Sequence, residues 1–397
     1  MASLYGKVSR LAVQSPPIVA ELQAVFKALP DDVLIAKLTK PTRRGRPSYP
    51  ARVMWRCFVA YYVLGLPSVS ALIRTLYDNP YIAKACGFET PDVIPSQPTF
   101  SRFYARLAKP TIAVEVKNIM RALVRQCYDT MPNFGKSVAI DSTDIKAWSH
   151  GRGNGHDGKS SDPDAGWAVK KNTEGNKKFV WGYKVHLLVD TTYELPIAAD
   201  TTAGNVADVT KASALLRQAR FTTGKFHPDY VLADAGYSSK GLREHIRRQY
   251  RAEPIIDPNP THLKTVARTP KTAEWKAIYA RRTAVERVNS RLKEHRRLNS
   301  VRVRGRWKVT LHAVLSVLAL QASAVANQSR ALVRKVRLGR RWRPRPLFLL
   351  CGIPPARGDS HRHKAIEVFG AKFAVYGFRQ CAGGNPKLPC HSRNKLI

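Results

Sequence analysis

The sequence predicts an α/β protein in which a mixed sheet with flanking helices is preceded by an all-α N-terminal domain. Apolar runs at helical spacing fill the first 125 residues, and a strand-rich pattern begins after Gly135. Beyond that point, short strands alternate with helices. We therefore expect a helical domain over 1–125, a mixed α/β domain over 126–330 and a basic tail of unassigned role over 331–397.

The N-terminal region is predicted to form short helices. Residues 51–65, ARVMWRCFVAYYVLG, are apolar nearly all round, as in a buried helix. The following segment, SVSALIRTLYDNPYIAKACGF, predicts two short helices that are broken at Asn79-Pro80. Ser96 can cap a helix over 96–107 that mixes aromatic and basic residues. This arrangement is compatible with a DNA-reading helix-turn-helix and equally with a plain helical bundle.

Strand-like segments begin with KSVAIDSTDIKAW and continue with KKFVWGYKVHLLVD and ELPIAADTTAG. Helix, strand, helix, strand and helix then follow, which predicts a partly antiparallel sheet. A polar, glycine-rich loop, SHGRGNGHDGKSSDPDAG, lies between the first two strands. We interpret this loop as solvated rather than as a zinc site. Its acids and histidines are His150, His156, Asp157, Asp162 and Asp164.

The charge balance indicates a polyanionic partner. Lys and Arg number 67 against 28 Asp and Glu, which gives a formal net charge of +39. Nucleic acid is the simplest such partner, and no cluster of cations flanks an apolar span as a membrane protein would require. Residues 311–326 are apolar but short and contain Gln321, which favours a buried helix.

No secretory signal is recognisable, so we expect a cytosolic protein with reduced thiols. The six cysteines form no CxxC pair. Cys381 with Cys390-His391 suggests zinc only weakly against ordinary thiols.

Acids at the ends of apolar strands are the candidate metal ligands. Phosphodiester chemistry on a basic protein commonly uses carboxylates from separate elements to hold divalent metals. Asp141 ends SVAID and Asp234 ends YVLAD, although a strand-end cap is the commoner role of such an aspartate. Asp190 and Asp200 also end strands, beside paired threonines that indicate turns, and Asp208 indicates a helix start.

One glutamate in the segment YARRTAVERVNSRLKEHRR, residues 279–297, is surrounded by cations. On a single helix, Tyr279, Arg282, Glu286 and Lys293 would share one narrow stripe. Two interpretations stay open on this pattern alone. The stripe is either an ion-paired surface helix or a metal-binding carboxylate between groups that contact phosphate.

The stripe Tyr279-x2-Arg282-x3-Glu286-x6-Lys293 resembles the YREK signature of bacterial insertion-sequence transposases of the DDE class. Further segments are similar to blocks of that family in the expected order: AIDST, WGYKVH, GNVAD and LADAGYSS. The resemblance covers roughly residues 40–330.

The resemblance implies a ribonuclease-H-like catalytic domain with Asp141, Asp234 and Glu286 as its acidic triad. These three carboxylates would hold Mg²⁺ or Mn²⁺, as two ions, and act as the catalytic residues. The residues then expected to contact DNA are Tyr279, Arg282, Lys293, Arg287 and Arg291.

The function implied is DNA transposition. The chain would bind the terminal inverted repeats of its own element as a homodimer in a synaptic complex, then cut double-stranded DNA and join it to target DNA. We expect it in the bacterial cytoplasm, associated with the nucleoid, without a membrane partner. Two alternatives stay open: a nuclease or resolvase of the same fold that does not join strands, and an inactive DNA-binding derivative. A serine or tyrosine recombinase would leave the three acids unexplained.

Overall fold

The computed structural model describes residues 16–39, 48–90, 93–151, 160–171, 176–258 and 271–338. The N-terminal part of these residues is helical, as predicted. Its helices are α1 Pro17–Ala28, α2 Asp32–Leu38, α3 Ala51–Val63, α4 Val69–Asp78, α5 Pro80–Cys86, α6 Gln97–Leu107 and α7 Pro110–Thr130.

Local sequence explains where several of these helices begin and end. The α4–α5 break lies at the predicted position, since the Asn79 side chain accepts a hydrogen bond from the Ile82 N–H at 3.1 Å and Pro80 begins the next helix. Ser96 occupies the cap position before α6, but its side chain makes no capping hydrogen bond. The aromatic residues of α6, among them Phe100 and Phe103, lie in the core.

The sheet has six strands. They are β1 Ser137–Lys146, β2 Gly166–Lys171, β3 Lys177–Asp190, β4 Leu195–Ala203, β5 Tyr230–Ala233 and β6 Glu253–Ile256. The helices of this region are α8 Val209–Thr222, α9 Lys240–Tyr250, α10 Ala273–Ala280, α11 Thr283–His295 and α12 Arg306–Leu338.

β1 lies at the centre of the sheet, antiparallel to β3 on one side and parallel to β5 on the other. β6 continues the parallel side beside β5. β3 pairs with β2 along its first half and with β4 along its second half, antiparallel in both cases. The order β4-β3-β1-β5-β6 with these directions is the ribonuclease-H-like arrangement, which confirms the predicted fold class. β2 is an additional strand that the sequence pattern did not predict.

The long helix α12 connects the helical region to the sheet. It packs on α1, α3, α6 and α7 and also on β4. Its segment Arg306–Ala331 is long and apolar enough to cross a membrane, but 94% of the most apolar window is buried within the protein. Gln321 inside it donates to the Pro196 carbonyl at 2.7 Å. The prediction of a buried helix over 311–326 is confirmed.

The predicted domain limits fall within helices. Residue 125 lies inside α7, and residue 330 lies inside α12. The division into domains stays a prediction, and the tail after residue 338 lies outside the described residues. Cys57, Cys86 and Cys127 are buried free thiols. The cysteines weighed for zinc, Cys381 and Cys390, lie outside the described residues, as do His391, His156 and Asp157.

Three predictions about acids were wrong. Asp141 lies in the middle of β1 rather than at its end, since β1 continues to Lys146. Asp200 lies inside β4 and pairs with Lys211 at 3.2 Å, so it does not form a turn. Asp162 is fully buried rather than solvated, and it accepts hydrogen bonds from the Tyr183 hydroxyl at 2.7 Å and the Gly305 N–H at 3.1 Å.

Two further acids lie as predicted. Asp190 ends β3 and accepts hydrogen bonds from the backbone N–H groups of Gly135, Thr192 and Tyr193, which is the predicted turn chemistry. Asp208 immediately precedes α8, although its carboxylate pairs with Lys184 at 3.1 Å instead of capping that helix.

Candidate active site

Asp141 on β1 and Asp234 just after β5 lie close together. β1 and β5 are parallel, and Ala139 is paired with Leu232. Asp141 comes two residues later within β1, and Asp234 comes two residues later, immediately after β5 ends at Ala233. The Asp234 side chain accepts a hydrogen bond from the Gly236 N–H at 2.9 Å, which stabilises the turn immediately after β5. The strand register thus brings together two acids that lie far apart in the sequence.

Glu286 approaches this pair of acids from α11. This helix packs on β1 and β3, and its Asn289 donates a side-chain hydrogen bond to Asp141 Oδ2 at 3.1 Å. Glu286 lies three residues before Asn289 and so shares its face of the helix. Sequence analysis missed Asn289, although its i+3 spacing from Glu286 was a usable signal.

The electrostatics of Asp141 reflect this convergence. Burial raises the pKa of Asp141 to about 6, against a hydrogen bond from the Ser142 N–H that lowers it. The negative charges of Asp234 and Glu286 raise this pKa as well. The carboxylates are therefore close enough to repel one another, and a positive charge between them would relieve that repulsion.

Tyr237 is a second residue of the site that sequence analysis missed. It follows Asp234 in the short 3₁₀ turn Ala235–Tyr237 and is almost fully buried. Burial raises the pKa of its hydroxyl, and the negative charges of Asp141, Asp208 and Asp234 add to that effect. A neutral phenol therefore borders the acids.

The expected stripe of four residues lies on two helices rather than one. α10 ends at Ala280 and α11 begins at Thr283, so Tyr279 and Glu286 belong to different helices. Arg282 lies at the junction, with its guanidinium over the Tyr279 ring at 5.5 Å and its Nη2 2.7 Å from Glu286 Oε1. Lys293 lies in the last turn of α11. Arg282 therefore connects the aromatic residue and the acid across the break.

The other two arginines expected to contact DNA, Arg287 and Arg291, bind another carboxylate. Arg287 Nε lies 2.6 Å from Glu194 Oε1, and Arg291 Nη2 lies 3.0 Å from Glu194 Oε2. Glu194 lies in the turn between β3 and β4 with a positive φ of 54°. Contact of Arg287 and Arg291 with DNA stays a prediction. Such contact would require each arginine to leave Glu194 or to bind Glu194 and a phosphate at the same time.

The chemistry of the donor set suits a hard divalent cation. Carboxylate oxygens are the ligands that Mg²⁺ prefers, and the mutual repulsion at Asp141 marks negative charge that a cation would offset. Among the described residues, however, no three histidine, cysteine or acidic side chains are already grouped closely enough to hold a metal ion. Glu286 is held by Arg282 instead.

Comparison with known proteins places both parts of the chain among transposases. Residues 132–321 match the family described as "Transposase DDE domain", and residues 15–106 match the family described as "Transposase domain (DUF772)". A protein of Brucella ovis, named as a transposase for insertion sequence element IS6501, is 31% identical over 115 residues. That match covers 29% of this chain and 78% of the Brucella protein.

A solved structure of the piggyBac transposase in a synaptic complex with hairpin DNA is a distant structural neighbour. The TM-score is 0.43 at 12% identity, over 82% of this chain and 77% of that one.

Proposed function

The chain belongs to the insertion-sequence transposases with a DDE domain, and we propose that Asp141, Asp234 and Glu286 are the residues that cut and join DNA. The observation that carries the proposal is the convergence of the three acids, one within β1, one directly after the adjacent parallel strand β5, and one from the helix packed on the sheet. The acids would hold Mg²⁺ or Mn²⁺, as two ions. When bound, such ions activate the attacking oxygen and stabilise the leaving one.

The residues around the acids have distinct tasks in this proposal. Asn289 orients the Asp141 carboxylate through its 3.1 Å hydrogen bond. Arg282 holds Glu286 before DNA arrives and then shares its charge with a phosphate, as a guanidinium can donate to two groups at once. Tyr279 supports Arg282 from α10, where its ring stacks on Trp275 at 4.7 Å.

The DNA substrate follows from the charge and from the family. A net charge of +39 gives strong, salt-dependent attraction to double-stranded DNA. We propose that the helical N-terminal region recognises the terminal inverted repeats of the element and that the chain acts as a homodimer in a synaptic complex. A 3′-hydroxyl freed by hydrolysis at the element's end would then attack target DNA at the same acids.

The decisive experiment measures strand cleavage and strand joining on duplex DNA that carries the element's ends, with Mg²⁺ or Mn²⁺. Glu286→Gln keeps the shape of the side chain but removes the charge, so both reactions should fall at least about 100-fold while DNA binding persists. Glu294→Gln is the matched control, since this exposed residue of the same helix accepts a local hydrogen bond from Ser290.

Three outcomes are informative. Loss of both reactions in Glu286→Gln alone supports the triad. Equal activity of wild type and Glu286→Gln means that the Arg282 pair is only a surface ion pair and that the assignment is wrong. Cleavage without joining by the wild-type chain contradicts the strand-transfer step and leaves a nuclease.

A further inference from the structure

An exposed aromatic surface lies on the hairpin formed by β2 and β3. We define the aromatic platform as Trp148, Trp167, Val169, Phe179, Trp181 and Arg302. Trp167 is 43% exposed, Phe179 59% and Trp148 50%. Large rings that stay half in water on a folded chain are unusual and mark sites of interaction. The chemistry proposed above does not use these residues.

Cross-strand pairing gathers the β2 and β3 members of the platform on one side of the hairpin, and Trp148 lies beside Ser149, whose hydroxyl accepts a hydrogen bond from Trp181 Nε1–H at 3.1 Å. Trp167 is paired with Trp181, and Val169 with Phe179. Directly paired residues share a face of an antiparallel sheet. The rings of Trp167 and Trp181 lie 5.4 Å apart and tilted by 56°, so they are not stacked on each other, and Trp167 stays 43% exposed.

The platform continues the face of the sheet that carries Asp141. In the β1–β3 register Asp141 is opposite Leu187 and Ile145 is opposite Tyr183, so these odd-numbered residues share one face. Trp181 precedes Tyr183 by two residues and therefore points to the same side. Trp148 follows Asp141 by seven residues, or at most roughly 23 Å along an extended strand. DNA bound at the acids would reach the platform within about seven nucleotides.

Cations accompany the aromatic rings. The Arg302 guanidinium lies over the Trp148 ring at 5.3 Å. Arg304 donates to the Trp148 carbonyl at 3.2 Å. Both arginines belong to the segment that leaves α11, the helix of Glu286. Two acids that precede β2 are already engaged, because Asp162 and Asp164 accept the backbone N–H groups of Gly305 and Arg306.

We propose that the aromatic platform stacks unpaired bases of the DNA strand next to the cut, while its arginines contact the backbone. Rings stack on bases of any sequence, and each stacked base contributes about 1–3 kcal/mol to single-strand binding. Cations near the rings favour a nucleic acid over an uncharged apolar partner. This inference rests on the proposed function, since it places the platform beside DNA that is being cut.

The test measures binding of the full chain to a short oligothymidylate, to the matching duplex and to an abasic oligomer of equal length, without divalent metal. Trp167→Ala and Trp148→Ala should each weaken oligothymidylate binding about 5- to 150-fold. Neither change should alter binding of the abasic oligomer, which has phosphates but no bases, by more than about twofold. Trp148 lies outside the strands, so its variant tests stacking even where Trp167→Ala disturbs β2.

The matched controls are Trp307→Ala and Phe221→Ala, which remove rings that are 58% and 78% exposed elsewhere on the chain. Unchanged oligothymidylate binding in both platform variants overturns the proposal, and so does an equal loss in the controls. A changed oligomeric state with unchanged binding would show instead that the platform is an interface between two copies of the chain.

The outcome is independent of the acidic triad, because binding is measured without catalysis. Failure of the platform variants leaves the cleavage result with Glu286→Gln intact. Conversely, a chain that stacks bases but does not cut DNA would contradict the proposed function alone.

Discussion

His312 should make the stability of the fold depend on pH. This histidine lies on α12, buried between the N-terminal helices and the segment that follows α11. Its Nδ1 lies 2.8 Å from the Tyr62 hydroxyl, and its Nε2 lies 3.0 Å from the Arg297 carbonyl. The hydroxyl donates to Nδ1 and Nε2–H donates to the carbonyl, so the neutral ring satisfies both partners.

The magnitude follows from the pKa. Burial lowers the pKa of His312 from 6.5 to about 4, and the nearby charge of Arg297 lowers it as well. The unfolded chain then binds a proton more readily than the folded chain does between these two values. The stabilisation is complete above pH 6.5 and is lost as the pH falls towards 4. The difference corresponds to about 3 kcal/mol of unfolding free energy.

The assay is denaturant unfolding at a series of pH values from 7.5 to about 4. His312→Gln cannot titrate but keeps a donor near the position of Nε2. Wild type should therefore lose about 3 kcal/mol of unfolding free energy relative to His312→Gln as the pH falls from 7.5 to about 4. His295→Gln, which changes an exposed histidine at the end of α11, should follow the wild-type curve. Parallel curves for wild type and His312→Gln would refute the reasoning.

Two further predictions concern residues that position the acids. Asn289→Ala should lower strand cleavage about 10- to 100-fold with DNA affinity unchanged, since it removes the hydrogen bond to Asp141; an unaltered cleavage rate would exclude a positioning role. Glu194→Gln should lower the unfolding free energy by about 1–3 kcal/mol, because it removes the negative charge that binds Arg287 and Arg291 at a partly buried position. A melting temperature equal to that of wild type would contradict this expectation.

Much of the sheet could be predicted from local sequence, whereas the choice of Asp141 and Asp234 as acids of the site came from the family resemblance and stays a prediction. The strand that carries Asp141 and the strand that Asp234 follows are apolar runs with β-branched residues, and their pairing as parallel neighbours follows from the helical connections of an α/β order. Asp162 shows what local pattern cannot supply. Its burial depends on Tyr183 and Gly305, which lie far along the chain, so a polar loop sequence gave no sign of it.

The local sequence did not predict the break between α10 and α11 either. Arg281 and Arg282 are good helix formers, and nothing in their sequence marks an end. In the structure their N–H groups bind the carbonyls three residues earlier, those of Ile278 and Tyr279, instead of four. This tight turn changes the direction of the chain while Arg282 stays over the Tyr279 ring. The spacing therefore correctly predicted that Tyr279, Arg282 and Glu286 are neighbours, but it wrongly placed them on one helix.

Three arginines near Glu286 in the sequence bind different carboxylates. Arg287 and Arg291 are committed to Glu194 and so fix how α11 lies on the sheet. Arg282 is the cation that Glu286 itself binds, at a partly exposed position where the pair is weak and readily exchanged. Glu286 therefore has a counter-charge, Arg282, that another cation can replace. Under the proposed function, Arg282 would move from Glu286 to a DNA phosphate once a metal ion took its place at the acid.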